Sequence, residues 1–103
     1  MPFIEPKVVG VDEIRTHQPD PENPIYNVYF ELSVVPSIAW KKIFELQSSP
    51  RFLVDGRHIV VRCVFSEIEN MLEDVRREVV RANQEYRKNL SGNKNFVLNQ
   101  KMV

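Results

Sequence analysis

One hundred and three residues, 43% of them hydrophobic, are enough for one domain with a real core and too apolar for a disordered segment. The single cysteine, Cys63, excludes an intrachain disulfide, and no apolar run approaches the roughly 20 residues that cross a bilayer. Fourteen basic groups balance fourteen acidic ones, yet residues 1–35 sum to −4, 36–75 to −1 and 76–103 to +5.

Residues 1–6 hold Pro2 and Pro6 and read as extended chain. They show no basic segment followed by an apolar run, so no secretory signal is expected. "KVVGVDEIRT" (7–16) is rich in β-branched residues and predicts a first strand, with Gly10 at a bulge. "HQPDPENP" (17–24) is a loop, because its three prolines cannot donate ladder hydrogen bonds. "IYNVYFELSVV" (25–35) has a period of two: Tyr26, Val28, Phe30, Leu32 and Val34 share one face, Asn27, Tyr29, Glu31 and Ser33 the other.

Ser37 is placed to cap a helix over 38–47, whose apolar side holds Ala39, Trp40, Ile43, Phe44 and Leu46. "RFLV" (51–54) and "RHIVVRCVF" (57–65) flank Asp55-Gly56, a strong hairpin signal. The expected pairing sets Val54 opposite Arg57 and Leu53 opposite His58, and puts Phe52, Ile59, Val61, Cys63 and Phe65 inside. Ser66 then caps a helix over 67–90 with one apolar stripe, Ile68, Met71, Leu72, Val75, Val79, Ala82, Tyr86 and Leu90. Gly92 reads as its C-terminal cap.

The order ββαββα predicts an α+β two-layer sandwich: a four-stranded, mostly antiparallel sheet with both helices on one face. The second strand and the 57–65 strand are expected side by side in the middle, parallel, joined through the first helix. This order resembles a permuted ferredoxin-like sandwich, a likeness of fold alone. The alternative is the βαββαβ ferredoxin-like order with the tail as a fifth strand. Residues 1–92 form the expected domain and 93–103 a flexible tail, in which "FVL" (96–98) could add a short strand. That strand, or a second molecule, is expected to cover Tyr86 and Leu90 where the last turns overhang the sheet.

Asp55, His58 and Cys63 lie within nine residues and resemble a catalytic grouping. An odd separation puts His58 and Cys63 on opposite faces of a strand, so no Cys–His dyad forms. Asp55 serves the turn and Cys63 is a small buried hydrophobe. His17, Asp20 and Glu22 have no metal-ligand spacing, and neither a phosphate loop nor a nucleophile elbow is present, so no metal and no cofactor are expected. Tyr29, Glu31, His58 and Arg62 instead fall together on the open sheet face and form the candidate binding surface.

The long helix begins acidic and ends basic, which complements its dipole. Glu73–Arg77 and Arg81–Glu85 are expected to pair along it. The sequence therefore points to a cytoplasmic, non-enzymatic interaction or accessory module acting on a protein partner or as a homodimer. The alternatives are small-ligand binding or catalysis around His58, and a nucleic-acid-binding regulator using the basic helix end.

Overall fold

The computed structural model describes the backbone of residues 3–102 and the side chains of 3–90. Its elements are β1 (Val8–Val11), β2 (Ile25–Leu32), α1 (Ile38–Gln47), β3 (Leu53–Asp55), β4 (His58–Val64), a 3-10 turn (Phe65–Glu67) and α2 (Ile68–Met102). The α+β two-layer arrangement expected from the sequence is what forms: one four-stranded sheet and two helices.

Alternation along β2 decides its faces. Val28, Phe30 and Leu32 are fully buried, while Asn27, Tyr29 and Glu31 stay partly exposed. On β4, Ile59, Val61 and Cys63 are buried, and His58, Val60 and Arg62 lie opposite. The buried set meets α1 through Trp40 and Phe44, whose rings stack 5.2 Å apart, and meets α2 through Met71, Val75, Val79 and Ala82.

The sheet order is β1-β2-β4-β3, with every neighbouring pair antiparallel. The expected parallel pairing of β2 with the 57–65 strand is therefore corrected. The crossover through α1 ends in β3, not in β4. The hairpin then reverses the chain and brings β4 back between β2 and β3, antiparallel to both. The β1–β2 and β3–β4 connections reverse the chain, whereas the α1 crossover sets β3 parallel to β2 with β4 between them.

Local geometry follows the sequence with informative departures. Ser37 caps α1, its Oγ accepting from Trp40 N–H at 3.2 Å. Leu46 is 87% exposed, so the apolar side of α1 is narrower than its composition suggests. The first strand stops at Val11, and its register shifts between Val8 and Gly10, the anticipated bulge. In the β3–β4 hairpin Asp55 faces His58 and Val54 faces Ile59. The two-residue turn is thus Gly56-Arg57, one residue later than expected, with Gly56 at φ +59°. Moving the turn by one residue changes the partners and leaves the faces intact, because both members of each pair stay on the same side. Phe65 leaves the strand for the 3-10 turn and is exposed, its ring 6.0 Å from Tyr26. Ser66 lies inside that turn and does not cap α2.

The α2 backbone continues through Gly92 rather than ending there. The expectation of a flexible 93–103 tail falls where the side chains lie outside the described residues. No fifth strand occurs among the described residues. What meets Tyr86 is the N-terminal segment: Phe3 packs on its ring at 4.4 Å, and Glu5 pairs with Arg87. Pro6 is fully buried, and its carbonyl accepts from Asn83 Nδ2 at 3.0 Å. Asn83 Oδ1 accepts from Trp40 Nε1 at 2.8 Å, so one buried amide joins α1, α2 and the N-terminal segment.

Candidate functional site on the open sheet face

With both helices on one side, the other face of the sheet is left to side chains of alternate strand positions. Strand register arranges them in rows. Glu31, His58 and Asp55 form the first row, Tyr29, Val60 and Leu53 the second, and Asn27 and Arg62 the third. The four residues singled out from the sequence, Tyr29, Glu31, His58 and Arg62, share this face. They do not make one cluster: His58 sits beside Glu31 at one end, and Arg62 lies two rows away.

The tightest chemistry is at the His58 end, and it includes a residue the sequence reading missed. His58 Nε2–H donates to Asp12 Oδ2 at 2.9 Å, with the two side chains only 12% and 18% exposed. Asp12 gets there because the chain turns at residues 12–15 and then pairs with β2 again. Asp12 N–H donates to the Tyr29 carbonyl, and Thr16 Oγ1 accepts from Tyr29 N–H. His17 bridges to Asn27. His17 Nδ1–H is turned back to the Arg15 carbonyl at 2.8 Å, and its ring stacks 6.2 Å from Tyr29. Tyr29 meets His58 edge-on at 5.7 Å.

Burial works against the charge on Asp12. Hydrogen bonds from His58 and from the backbone of Arg15 and Ile14, together with the charge of His58, outweigh it and hold the carboxyl below its ordinary value. Forty-six residues separate Asp12 from His58, so no spacing rule could pair them. The usable signal was the turn-forming Asp12 immediately after a bulged strand.

Asp12, Glu31 and His58 each offer one donor atom, all within 4.8 Å of one another. One imidazole and two carboxylates can hold a divalent ion. Positive charge is already at hand, however. Arg15 lies 3.7 Å from Asp12, and Arg57 lies 3.7 Å from Glu31 while also donating to the Leu32 and Ser33 carbonyls. An ion would have to displace the His58 proton and compete with both guanidinium groups.

The other end of the face is basic. Arg62 is exposed, and Arg51 Nη2 donates to its carbonyl at 2.9 Å. With Asn27, Pro50, Leu53 and Val60 they line a shallow depression of about 310 Å³. The buried Asn27 Oδ1 there has no hydrogen-bond partner among the described residues. Leu53 is 58% exposed and gives the middle row an apolar surface.

The remaining candidates separate. Cys63 is buried on the helix side, where burial pushes its thiol up, Glu67 adds to the rise and Arg51 opposes it. It is neither near His58 nor primed as a nucleophile. On α2 the ion pairs are Asp74–Arg77 and Glu78–Arg81, at i,i+3 rather than the i,i+4 pairs expected. With Arg87 on Glu5, three arginines of the basic half are already matched to carboxylates. No helix among the described residues is long and apolar enough to cross a membrane. No family model matches the chain, and neither a curated protein nor a solved structure is significantly similar to it.

Proposed function

We propose that the protein is a non-enzymatic interaction or accessory module of the reducing cytoplasm, acting through its open sheet face. The carrying observation is asymmetry of cover. Both helices pack on one side of the sheet, while Tyr29, Val60 and Leu53 on the other form an apolar band between two charged ends. A surface of that kind, apolar at its middle and polar at its rim, has the anatomy of a protein interface. The free thiol of Cys63 is consistent with a reducing compartment. The pairing of Arg77, Arg81 and Arg87 with carboxylates weighs against the nucleic-acid reading.

Affinity capture with the wild-type chain, Val60→Asp and the helix-face control Glu73→Lys tests it. Partners lost by Val60→Asp and kept by Glu73→Lys support the sheet face. Partners lost only by Glu73→Lys, or amide shifts confined to α1 and α2 on adding a captured partner, refute it.

A second reading rests on the His58–Asp12 contact, which fixes the imidazole in a partly buried setting beside Tyr29 and Glu31. A small ligand or metal at that end would shift the His58 ring resonances on titration. Unmoved resonances would remove this reading.

A further inference from the structure

The charges of the open face are not scattered. The first row carries Glu31 and Asp55, with Asp12 reaching over it, against Arg15 and Arg57, a net of −1 with His58 counted as neutral. At the opposite end the depression is lined by Arg62 and Arg51 and by no carboxylate. Between them lies the neutral band of Tyr29, Val60 and Leu53. The face is therefore dipolar along the strand direction, with an apolar waist.

A dipolar face of this kind is complementary to itself under one symmetry operation. A two-fold axis lying in the face and running across the strands, through the Tyr29–Val60–Leu53 row, lays the acidic row of one copy over the basic row of the other. It does so twice, once on each side of the axis. An axis along the strands would stack acidic on acidic and basic on basic, which charge forbids. The allowed arrangement also keeps the strands of the two sheets nearly aligned, the usual way for sheets to pack face to face. Closed isologous contact of this sort is the commonest form of oligomer.

Resting on the sheet face as the interaction surface, we propose that its partner is a second copy of this chain, docked sheet to sheet about that axis. Val60 meets Val60 of the partner subunit near the axis. Arg62 then falls over the partner's His58, between the partner's Glu31 and the partner's Asp55, and Arg51 falls towards the partner's Asp55. At about 4.8 Å between strands and 3.3 Å per residue, the strands cover roughly 350 Å² in projection. That is the size of a weak, transient contact. The dimer is accordingly weak, concentration-dependent and salt-sensitive.

Sedimentation equilibrium up to about 500 µM, a range that reads micromolar association, tests this. The wild-type chain should move from 12.1 kDa towards twice that mass. Arg62→Glu and Glu31→Lys should each weaken association about tenfold, because symmetry makes every exposed charge pair count twice. Mixed in equal amounts, these two variants should regain the dimer, since opposite charges then face each other on both sides of the axis. Val60→Asp should be monomeric with its Trp40 fluorescence unchanged.

A wild-type mass fixed at 12.1 kDa overturns the second copy as partner. So does a dimer indifferent to Val60→Asp, or a charge-swapped mixture that stays monomeric. None of these touches the broader reading, which stands or falls on whether captured partners need the sheet face.

Discussion

Replacing Asn83 by alanine removes the one amide that both halves of the helical layer and the N-terminal segment share. In the native chain its Oδ1 accepts the Trp40 indole N–H at 2.8 Å and its Nδ2 donates to the Pro6 carbonyl at 3.0 Å. Asn83 is 5% exposed, and Trp40 and Pro6 are fully buried, so water cannot replace either partner without opening the core. Two hydrogen bonds at roughly 1 kcal/mol each vanish, and the orphaned donor and acceptor add a desolvation cost, for a total of about 3 kcal/mol. With a domain of this size losing about 4–8 °C per kcal/mol, the melting temperature should fall by about 12–24 °C. In urea, at a slope of roughly 1.5 kcal/mol per molar, the midpoint should drop by about 2 M. Trp40, the single tryptophan, reports the transition directly. Asn83→Leu combined with Trp40→Phe, followed by circular dichroism, should cost clearly less than the two single changes added together, because the indole donor goes together with its acceptor and only the Pro6 carbonyl stays unpaired. A midpoint loss under about 0.5 M for Asn83→Ala would show that the amide is not holding these three segments together.

Three further outcomes follow from local geometry. Asp12 is held below its ordinary value of 3.8, so the folded chain binds that proton less readily than the unfolded one. The stability it contributes is complete above 3.8 and is lost as the pH falls through the depressed folded value. The gap in urea midpoint between wild type and Asp12→Asn should shrink over that window, and a gap independent of pH refutes the pairing. Gly56→Ala forces a side chain into φ +59° with open space around the new Cβ, so only backbone strain acts. It should cost about 1–2 kcal/mol in denaturation, and a neutral change would contradict the turn geometry. Cys63 is 2% exposed with its thiol pushed up by burial, so a thiol reagent should label it only at the unfolding rate. Rapid labelling under native conditions would mean that β4 opens locally.

What the sequence disclosed and what it hid divide along range. The faces of β2 and β4 were legible because a period of two is a local property, and the buried Phe30 and Val61 follow from it. Ser37 was legible as a cap because the hydroxyl and its N–H partner are three residues apart. Gly56 announced a hairpin but not which residue begins the turn, since Asp55 can end a strand or enter a turn. The direction of β4 is not legible, because the longer apolar run looks like the natural end of the crossover, whereas β3, only three residues long, takes it. Asp12 and Asn83 were missed for a related reason. Their partners are 46 and 43 residues away, and polar residues near an apolar stripe look like surface until a buried indole N–H is known to need an acceptor. The cover on Tyr86 came from Phe3, a segment whose prolines had marked it as mere lead-in.

The position of β4 has a kinetic consequence. It pairs with β3 across a two-residue turn, a closure of microseconds, but with β2 only after the α1 crossover has been traversed. A hairpin assembled early must slide as a unit into the slot beside β2, and that long-range docking is the slow event on topological grounds. Substitutions in the β3–β4 turn should then alter the refolding rate, while those at the β1 edge should chiefly accelerate unfolding.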